Sequence, residues 1–424
     1  MSPPCVHVIG AGVAGLACAV RLARQGRAVR LYDSAPRAGG RCRSYHDPQL
    51  DRMIDNGNHL ILSGNGAIAE YCAEIGASDA FEIGSPASFG FYDHHSGRRW
   101  RVRPNKGPLP MWVLDRKRRP ADTTLSDFAS ALGLPFAGAD KTVADVVPTS
   151  GPVYTHFWEP LTLAALNTTA KIGQARLLWV VLAKTFLRGE AYCRPMVARE
   201  GLGPALVDPA INQLQAQGVP ILLNTRVRAI ERTADVATAL ACADGERITL
   251  GPDDQIVLAV PPARATALLP DLTAPGDGEP IVNVHFRTAT PAPKPEGAPF
   301  LGLIHTRTHW AFVRDDVVSV TISAGAKAGA EDRAALTETV WAEVKAALNL
   351  TDDAPVASRV VVEKRATFDQ SPAGVARRPK PVTPLRNLFL AGDWTDTGLP
   401  ATLESATLSG HRAANTAMER LRRG

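Results

Sequence analysis

Hydrophobic and polar positions fall into two rhythms along this chain. Val6-His7-Val8-Ile9 is an apolar run too short for a helix, whereas Leu16 to Gln25 repeats small and apolar residues at helical spacing. Between them lies Gly10-Ala11-Gly12-Val13-Ala14-Gly15, and a second apolar run, Val29-Arg30-Leu31-Tyr32, follows and is closed by Asp33 and Ser34. The pattern predicts strand, glycine turn, helix, strand. A helix is expected from Gly66 to Ile75. A long helical stretch is expected from Val153 to Leu187, interrupted near Asn167-Thr168-Thr169. Short strands are expected at Ile221-Leu222-Leu223 and Gln255 to Val260, the latter stopped by Pro261-Pro262. Near the end, Leu388-Phe389-Leu390-Ala391 reads as a buried strand reaching Gly392-Asp393. A loop through Asp396 and Gly398 then leads to a helix from about Ala401 to Leu421.

Strands alternating with helices indicate an α/β fold with a Rossmann-like sheet. At 424 residues the chain exceeds what one core usually holds. The nucleotide-binding elements fall in three blocks, 1–80, 199–261 and 368–424. The intervening 81–198 and 262–367 are expected to form a substrate domain of sheet plus helices. The 45% apolar and 21% charged content is that of an ordinary globular protein. Six scattered cysteines form no Cys-x-x-Cys pair, and no histidine cluster has metal-ligand spacing, so reduced thiols in the cytoplasm and no metal are expected. Neither a signal peptide nor a membrane-spanning helix is expected.

The glycines have chemical reasons. Gly10 permits a tight turn, Gly12 lets backbone approach a pyrophosphate, and Gly15 lets helix and strand pack closely. The helix N-terminus then presents free N–H groups to phosphate, and Asp33 is placed to accept hydrogen bonds from a ribose. Gly39-Gly40-Arg41 fits a second phosphate-approaching turn whose guanidinium can fork onto pyrophosphate oxygens. Asp393 can bind ribityl hydroxyls, and the helix that follows can stabilise negative charge near N1 and O2 of a reduced flavin.

Gly10-x-Gly12-x-x-Gly15, Gly39-Gly40-Arg41, Asp55-x-Gly57-x-His59 and Gly392-Asp393 with Gly398-Leu-Pro-Ala-Thr-Leu-Glu404 together resemble the FAD-dependent amine oxidase and phytoene desaturase superfamily. Asp55-Asn56-Gly57-Asn58-His59-Leu60 and Phe157-Trp158-Glu159-Pro160-Leu161, leading to Ala164-Ala165-Leu166-Asn167-Thr168, are similar to the hydroxysqualene dehydroxylases of bacterial hopanoid pathways. The resemblance implies a glutathione-reductase-type FAD domain. FAD would be held by Gly10, Gly12, Ala14, Gly15, Asp33, Ser34, Gly39, Gly40, Arg41, Gly57, Asn58, His59, Gly392, Asp393, Pro400, Ala401 and Thr402, with the backbone of Val227 against adenine. Amine oxidases of the superfamily usually place an aromatic residue two positions before the glutamate matching Glu404. Thr402 stands there instead, which argues against a small amine.

The reaction implied is reduction of hydroxysqualene to squalene. Loss of water gives an allylic cation, which takes hydride from reduced FAD. A proton donor in a water-poor pocket is needed. His59 is the first candidate, with Asp55, Asp396 and Asn167 behind it; His59 as a simple hydrogen-bond partner is the alternative. The large side chains Phe157, Trp158, Leu161, Leu163, Leu166, Leu177, Leu178, Trp179 and Phe186 can line a tunnel for a long isoprenoid, or form plain core. Between Arg98 and Pro120 nine basic residues against Asp115 are interleaved with Trp100, Leu109, Pro110, Met111, Trp112 and Val113. That pattern suits peripheral contact with the inner face of the membrane, and no nucleic-acid fold surrounds it. The other expected partners are upstream prenyl-converting enzymes and an unidentified electron donor. A carotenoid-type desaturase working from oxidised FAD, a flavin amine oxidase and a non-catalytic FAD-binding partner remain as alternative readings.

Overall fold

A computed structural model describes residues 3–423. Five parallel strands form one sheet in the order Ile221–Leu222, Ala28–Tyr32, Cys5–Ile9, Gln255–Leu258, Leu388–Leu390. Both faces are covered, which explains why the strand sequences read as continuous apolar runs. Val6, Val8, Val29, Leu31, Val257 and Phe389 enter one core with the helices Val13–Arg24 and Leu403–Arg423. Ile9, Tyr32, Ile256, Leu258, Leu388 and Leu390 enter another, under the antiparallel strands Val227–Thr233, Val236–Cys242 and Arg247–Thr249.

The expected elements are found with their ends displaced by one to three residues. The final helix runs Leu403–Arg423 rather than from Ala401, because Thr402 acts as its cap: its hydroxyl oxygen accepts from the Ser405 N–H at 3.2 Å. The stretch 153–187 contains a π turn, Tyr154–Trp158, then the helices Glu159–Leu166 and Ala175–Lys184. The break falls at Asn167, in the left-handed region at φ 48°.

A seven-stranded sheet forms the other large layer, in the order Ala357–Glu363, Ile281–Arg287, Val317–Ile322, Trp310–Arg314, Phe300–Ile304, Phe89–Asp93, Arg99–Val102. Alternation along each strand gives it two different faces. Val282, Val284, Phe286, Leu303, Val313, Val318 and Val320 pack under the helix Arg333–Leu348. On the other face a single transverse row, fixed by strand register, reads Asn283, Thr321, Trp310, Gly302, Phe91, Trp100. Five strand-to-strand steps make this row about 24 Å long. Its first members are polar and its last are aromatic. Among the described residues, no helix is long and apolar enough to cross a membrane.

Candidate functional site

At the end of Cys5–Ile9 the chain turns through Gly10 at φ 107°, where a Cβ would lie 2.4 Å from the Ala259 carbonyl oxygen. A Cβ on Gly15 would lie 1.8 Å from the Gly10 carbonyl, so helix and turn can close only on glycine. Gly12 is different, with nothing within 4 Å of its Cβ position. It caps the helix Val13–Arg24 without a side-chain bond, leaving the first-turn N–H groups of Val13, Ala14 and Gly15 unspent. The Ala14 methyl is buried against the C-terminal helix. Gly39 bridges to Gly12 and donates its N–H to the Ala11 carbonyl at 2.8 Å, bringing the second glycine turn beside the first. Gly39 and Gly40 are both left-handed, and a Cβ on Gly40 would meet only Gly12 Cα. This open backbone cradle fits a dinucleotide pyrophosphate.

Asp33 holds the cradle shut, accepting from the Ala11 N–H at 2.7 Å and the Ala35 N–H at 2.8 Å, while Ser34 is exposed beside it. Remaining lone pairs on its oxygens can still receive ribose hydroxyls. The Thr225 N–H donates to the Asp33 carbonyl and so brings Val227 near, but the Val227 carbonyl accepts from Arg264 at 2.6 Å, leaving that oxygen engaged. Arg41 also differs from expectation. Its guanidinium pairs with Asp393 at 2.6 Å and donates to the Ala366 carbonyl, linking the two cofactor-facing turns to each other. Asp393, expected on the ribityl chain, has one oxygen engaged by that pair.

The loop after Gly392 is organised by a residue that the motifs did not reveal. Arg378, buried, donates to the carbonyls of Asp393, Thr395 and Leu399 and to the Thr397 hydroxyl, and lies 4.7 Å from the centre of the Phe368 ring. Burial brings its pKa down to about 10. Nothing in the local sequence marks it, because its partners are main-chain oxygens 15 to 21 residues away. Gln370 is a second such residue. Its amide donates to the Leu166 carbonyl and its oxygen accepts the N–H of Ala401, one of the expected FAD-binding residues, at 2.9 Å. Pro400 is buried, and its carbonyl accepts from the Thr402 hydroxyl at 3.2 Å. Glu404 reaches back to the helix Gly66–Glu74, where its two oxygens accept the Ala67 and Ile68 N–H groups at 3.0 Å each. It is a helix cap supplied from a distance.

The turn 55–59 meets the polar end of the transverse row. Asn283 Nδ2 approaches the Asn56 carbonyl at 3.4 Å, and a Cβ on Gly57 would lie 3.2 Å from that same nitrogen. Asn58 Nδ2 reaches the Thr321 hydroxyl at 3.4 Å, and Thr321 donates to Asn283 Oδ1 at 2.9 Å. His59 follows. Burial, and secondarily the Arg41 charge, push its imidazole pKa down to about 4, with Asp55 opposing. This lowering favours the neutral imidazole, the form that suits the hydrogen-bond alternative.

The three weaker acid candidates are corrected. Asp55 is a brace, buried and accepting from the Ser44 hydroxyl, the Leu202 N–H at 2.8 Å and Arg314 at 3.2 Å. This docking explains Gly201, since a Cβ there would lie 2.8 Å from Asp55 Oδ1. Asn167 spends its amide on structure, donating to the Glu279 carbonyl and the Thr367 hydroxyl and accepting from the Ala324 N–H. Asp396 is exposed, which removes it from any water-poor pocket.

Beyond Thr321 the row turns aromatic. Trp310, Phe91 and Trp100 lie in succession, with ring centroids 5.6 and 5.7 Å apart. Gly302 makes room for them, because a Cβ there would come within 2.5 Å of Phe91. Phe157, Trp158, Leu166, Leu177, Leu178 and Phe186 are buried in the same cluster, with Leu161 and Trp179 partly buried against it, while Leu163 is buried outside it. Leu60, next to His59, packs against it too. A polar turn beside the glycine cradle therefore opens onto an extended apolar and aromatic layer.

A family model described as flavin containing amine oxidoreductase matches residues 13–418. The hydroxysqualene dehydroxylase of Rhodopseudomonas palustris is 44% identical over 411 residues, 97% of each chain. That of Sinorhizobium fredii is 41% identical over 417 residues, 98% of this chain and 99% of the relative. A probable zeta-carotene desaturase of Synechococcus elongatus is more distant, at 24% over 480 residues and 98% of each chain. Among solved structures, cyclohexylamine oxidase from Brevibacterium oxydans superposes with a TM-score of 0.72 at 17% identity, covering 99% of this chain and 100% of that one. That likeness concerns the fold.

Proposed function

The chain belongs to the flavin-containing amine oxidoreductases and, within them, to the family of the hydroxysqualene dehydroxylases, and from this premise we propose that it reduces hydroxysqualene to squalene with FAD as cofactor. The observation that carries the reading is full-length identity to proteins named for this reaction, against 24% to a desaturase. The site agrees with it chemically: a polar turn borders a long aromatic layer, as a hydrocarbon chain bearing one hydroxyl requires. Thr402 caps a helix where amine oxidases are expected to present an aromatic wall, which disfavours amine oxidation.

In the balanced reaction the substrate C–O bond breaks, the hydroxyl leaves as water with a proton drawn ultimately from solvent, and a hydride bearing two electrons forms the new C–H bond. FAD in its reduced form supplies that hydride, and an external donor of unidentified kind restores it. The chain's own groups have separate tasks. The Gly12 and Gly40 backbone and the first N–H groups of Val13–Arg24 would receive the pyrophosphate. Asp33 fixes the turn and would accept from the ribose. Arg378 shapes the 392–399 loop, which would hold the flavin end. His59, whose pKa burial lowers, would stand beside the substrate hydroxyl as a neutral hydrogen-bond partner. The aromatic layer excludes water and so protects an allylic cation from recapture.

An enzyme that joins prenyl units would supply the substrate, whose insolubility in water supports peripheral contact of this protein with a membrane surface. To test the reading, anaerobically reduced holoenzyme is mixed with hydroxysqualene in detergent while flavin reoxidation and squalene are followed together. Matched appearance of both is expected. Flavin that stays reduced, with desaturation of a carotenoid precursor by the oxidised enzyme, would support the desaturase instead.

A further inference from the structure

We propose that the protein docks on an anionic bilayer through one particular face, built from the short helical turns Met111–Leu114 and Ser126–Phe136, and that this face admits the lipid substrate. The inference deepens the proposed function and rests on its lipid substrate. Eleven large apolar side chains stand exposed among the described residues, and six of them, Leu109, Met111, Leu114, Leu125, Leu132 and Phe136, fall within one stretch of 28 positions. Phe136 is 87% exposed and Leu132 76%, values that an interior-seeking side chain does not reach by scatter.

The two turns are neighbours, because Trp112 on the first meets Phe128 on the second edge to face at 5.8 Å. Each turn sends part of its apolar content inward, Trp112 from one and Phe128 and Leu134 from the other, and leaves the rest outside. Of the two tryptophans in the basic segment, Trp112 anchors its turn and Trp100 belongs to the strand Arg99–Val102. Trp112 is buried, and Trp100 is stacked on Phe91.

Charge selects the occupant. Between residues 98 and 141 ten basic residues stand against four acidic ones. Three of those acids are already matched, Asp115 to Arg118, Asp122 to Arg98 and Asp140 to Lys141. Lys106, Arg116, Lys117 and Arg118 are exposed around the apolar tips. A cationic collar around protruding aliphatic and aromatic groups complements anionic headgroups over acyl chains. Behind this face Trp112 also packs on Phe157 at 5.7 Å and Phe186 at 6.1 Å, members of the aromatic cluster that reaches Leu60 beside His59. Apolar packing is therefore continuous from the outer tips to the candidate site.

The test uses holoenzyme floated with vesicles of phosphatidylcholine alone or mixed with phosphatidylglycerol. Wild type is expected to bind the mixed vesicles preferentially. The double variant Leu132→Glu, Phe136→Glu alters side chains that are already exposed, and should cut the bound fraction roughly ten-fold. Arg116→Glu with Lys117→Glu should abolish the preference for anionic lipid. Val356→Glu, an exposed apolar position elsewhere in the sequence, should bind as wild type. With substrate in vesicles the Leu132/Phe136 variant should show a raised KM; with substrate in detergent its kcat should equal wild type. Equal vesicle binding by wild type and this variant overturns the proposal, as does a wild-type dimer that these substitutions dissociate without any vesicle binding. Vesicle binding without turnover in detergent would instead overturn the functional reading and leave the docking face standing.

Discussion

His59, His285 and His309 show what the interior does to a titratable residue. Burial is the largest cause for each, and all three imidazoles are pushed down to about 4. Their folded pKa lies below the ordinary 6.5, so the unfolded chain binds more protons between those values and stability is lost as pH falls from 6.5 toward 4. The slope is up to about 1.4 kcal/mol per pH unit for each histidine. Denaturant midpoints measured from pH 7 to 5 should fall accordingly, and His285→Gln should flatten the slope. The same residues show where sequence reasoning stops. The glycines of the cradle were legible because their reason is local: a turn and a close approach. Asp55 and Asn167 looked like chemistry because they are polar in an apolar setting. Their partners, Leu202, Arg314, Ala324 and Glu279, lie more than 100 residues away in sequence and leave no local trace.

Whole elements were more legible than their connections. The five parallel strands were readable from apolar runs, and the long helices from their period, because burial on both faces or one face writes itself into the sequence. Long-range caps did not. Glu404→Gln should keep the fold but weaken the charged cap on Gly66–Glu74, lowering stability by about 1 kcal/mol in urea unfolding. Strand register was equally hidden, since which residues lie opposite depends on loops between distant strands. Register places Gly302 under Phe91 and Trp310, a role no motif suggests. Gly302→Val should drive those rings apart, costing roughly 1–3 kcal/mol and lowering turnover of a long isoprenoid more than FAD binding. Equal loss of both would assign Gly302 to folding alone.

At the scale of the molecule, two sheets divide the labour. The parallel sheet and its glycine turns make the dinucleotide cradle, and the seven-stranded sheet offers a face that changes from amide and hydroxyl groups to aromatic rings over about 24 Å. The turn after Arg52–Asp55 meets that face at Asn56, Asn58, Asn283 and Thr321, which places a polar turn at the head of an apolar layer, the arrangement needed to hold a hydroxyl and shelter a cation. The central claim is that hydride passes from reduced FAD to the carbon that loses the hydroxyl. A single turnover of photoreduced holoenzyme with hydroxysqualene in D2O, where flavin N5 carries solvent deuterium, reads this directly by mass spectrometry and NMR of the product. The account predicts squalene with one deuterium at the carbon that bore oxygen. Unlabelled squalene, or a product with an added double bond, would contradict it.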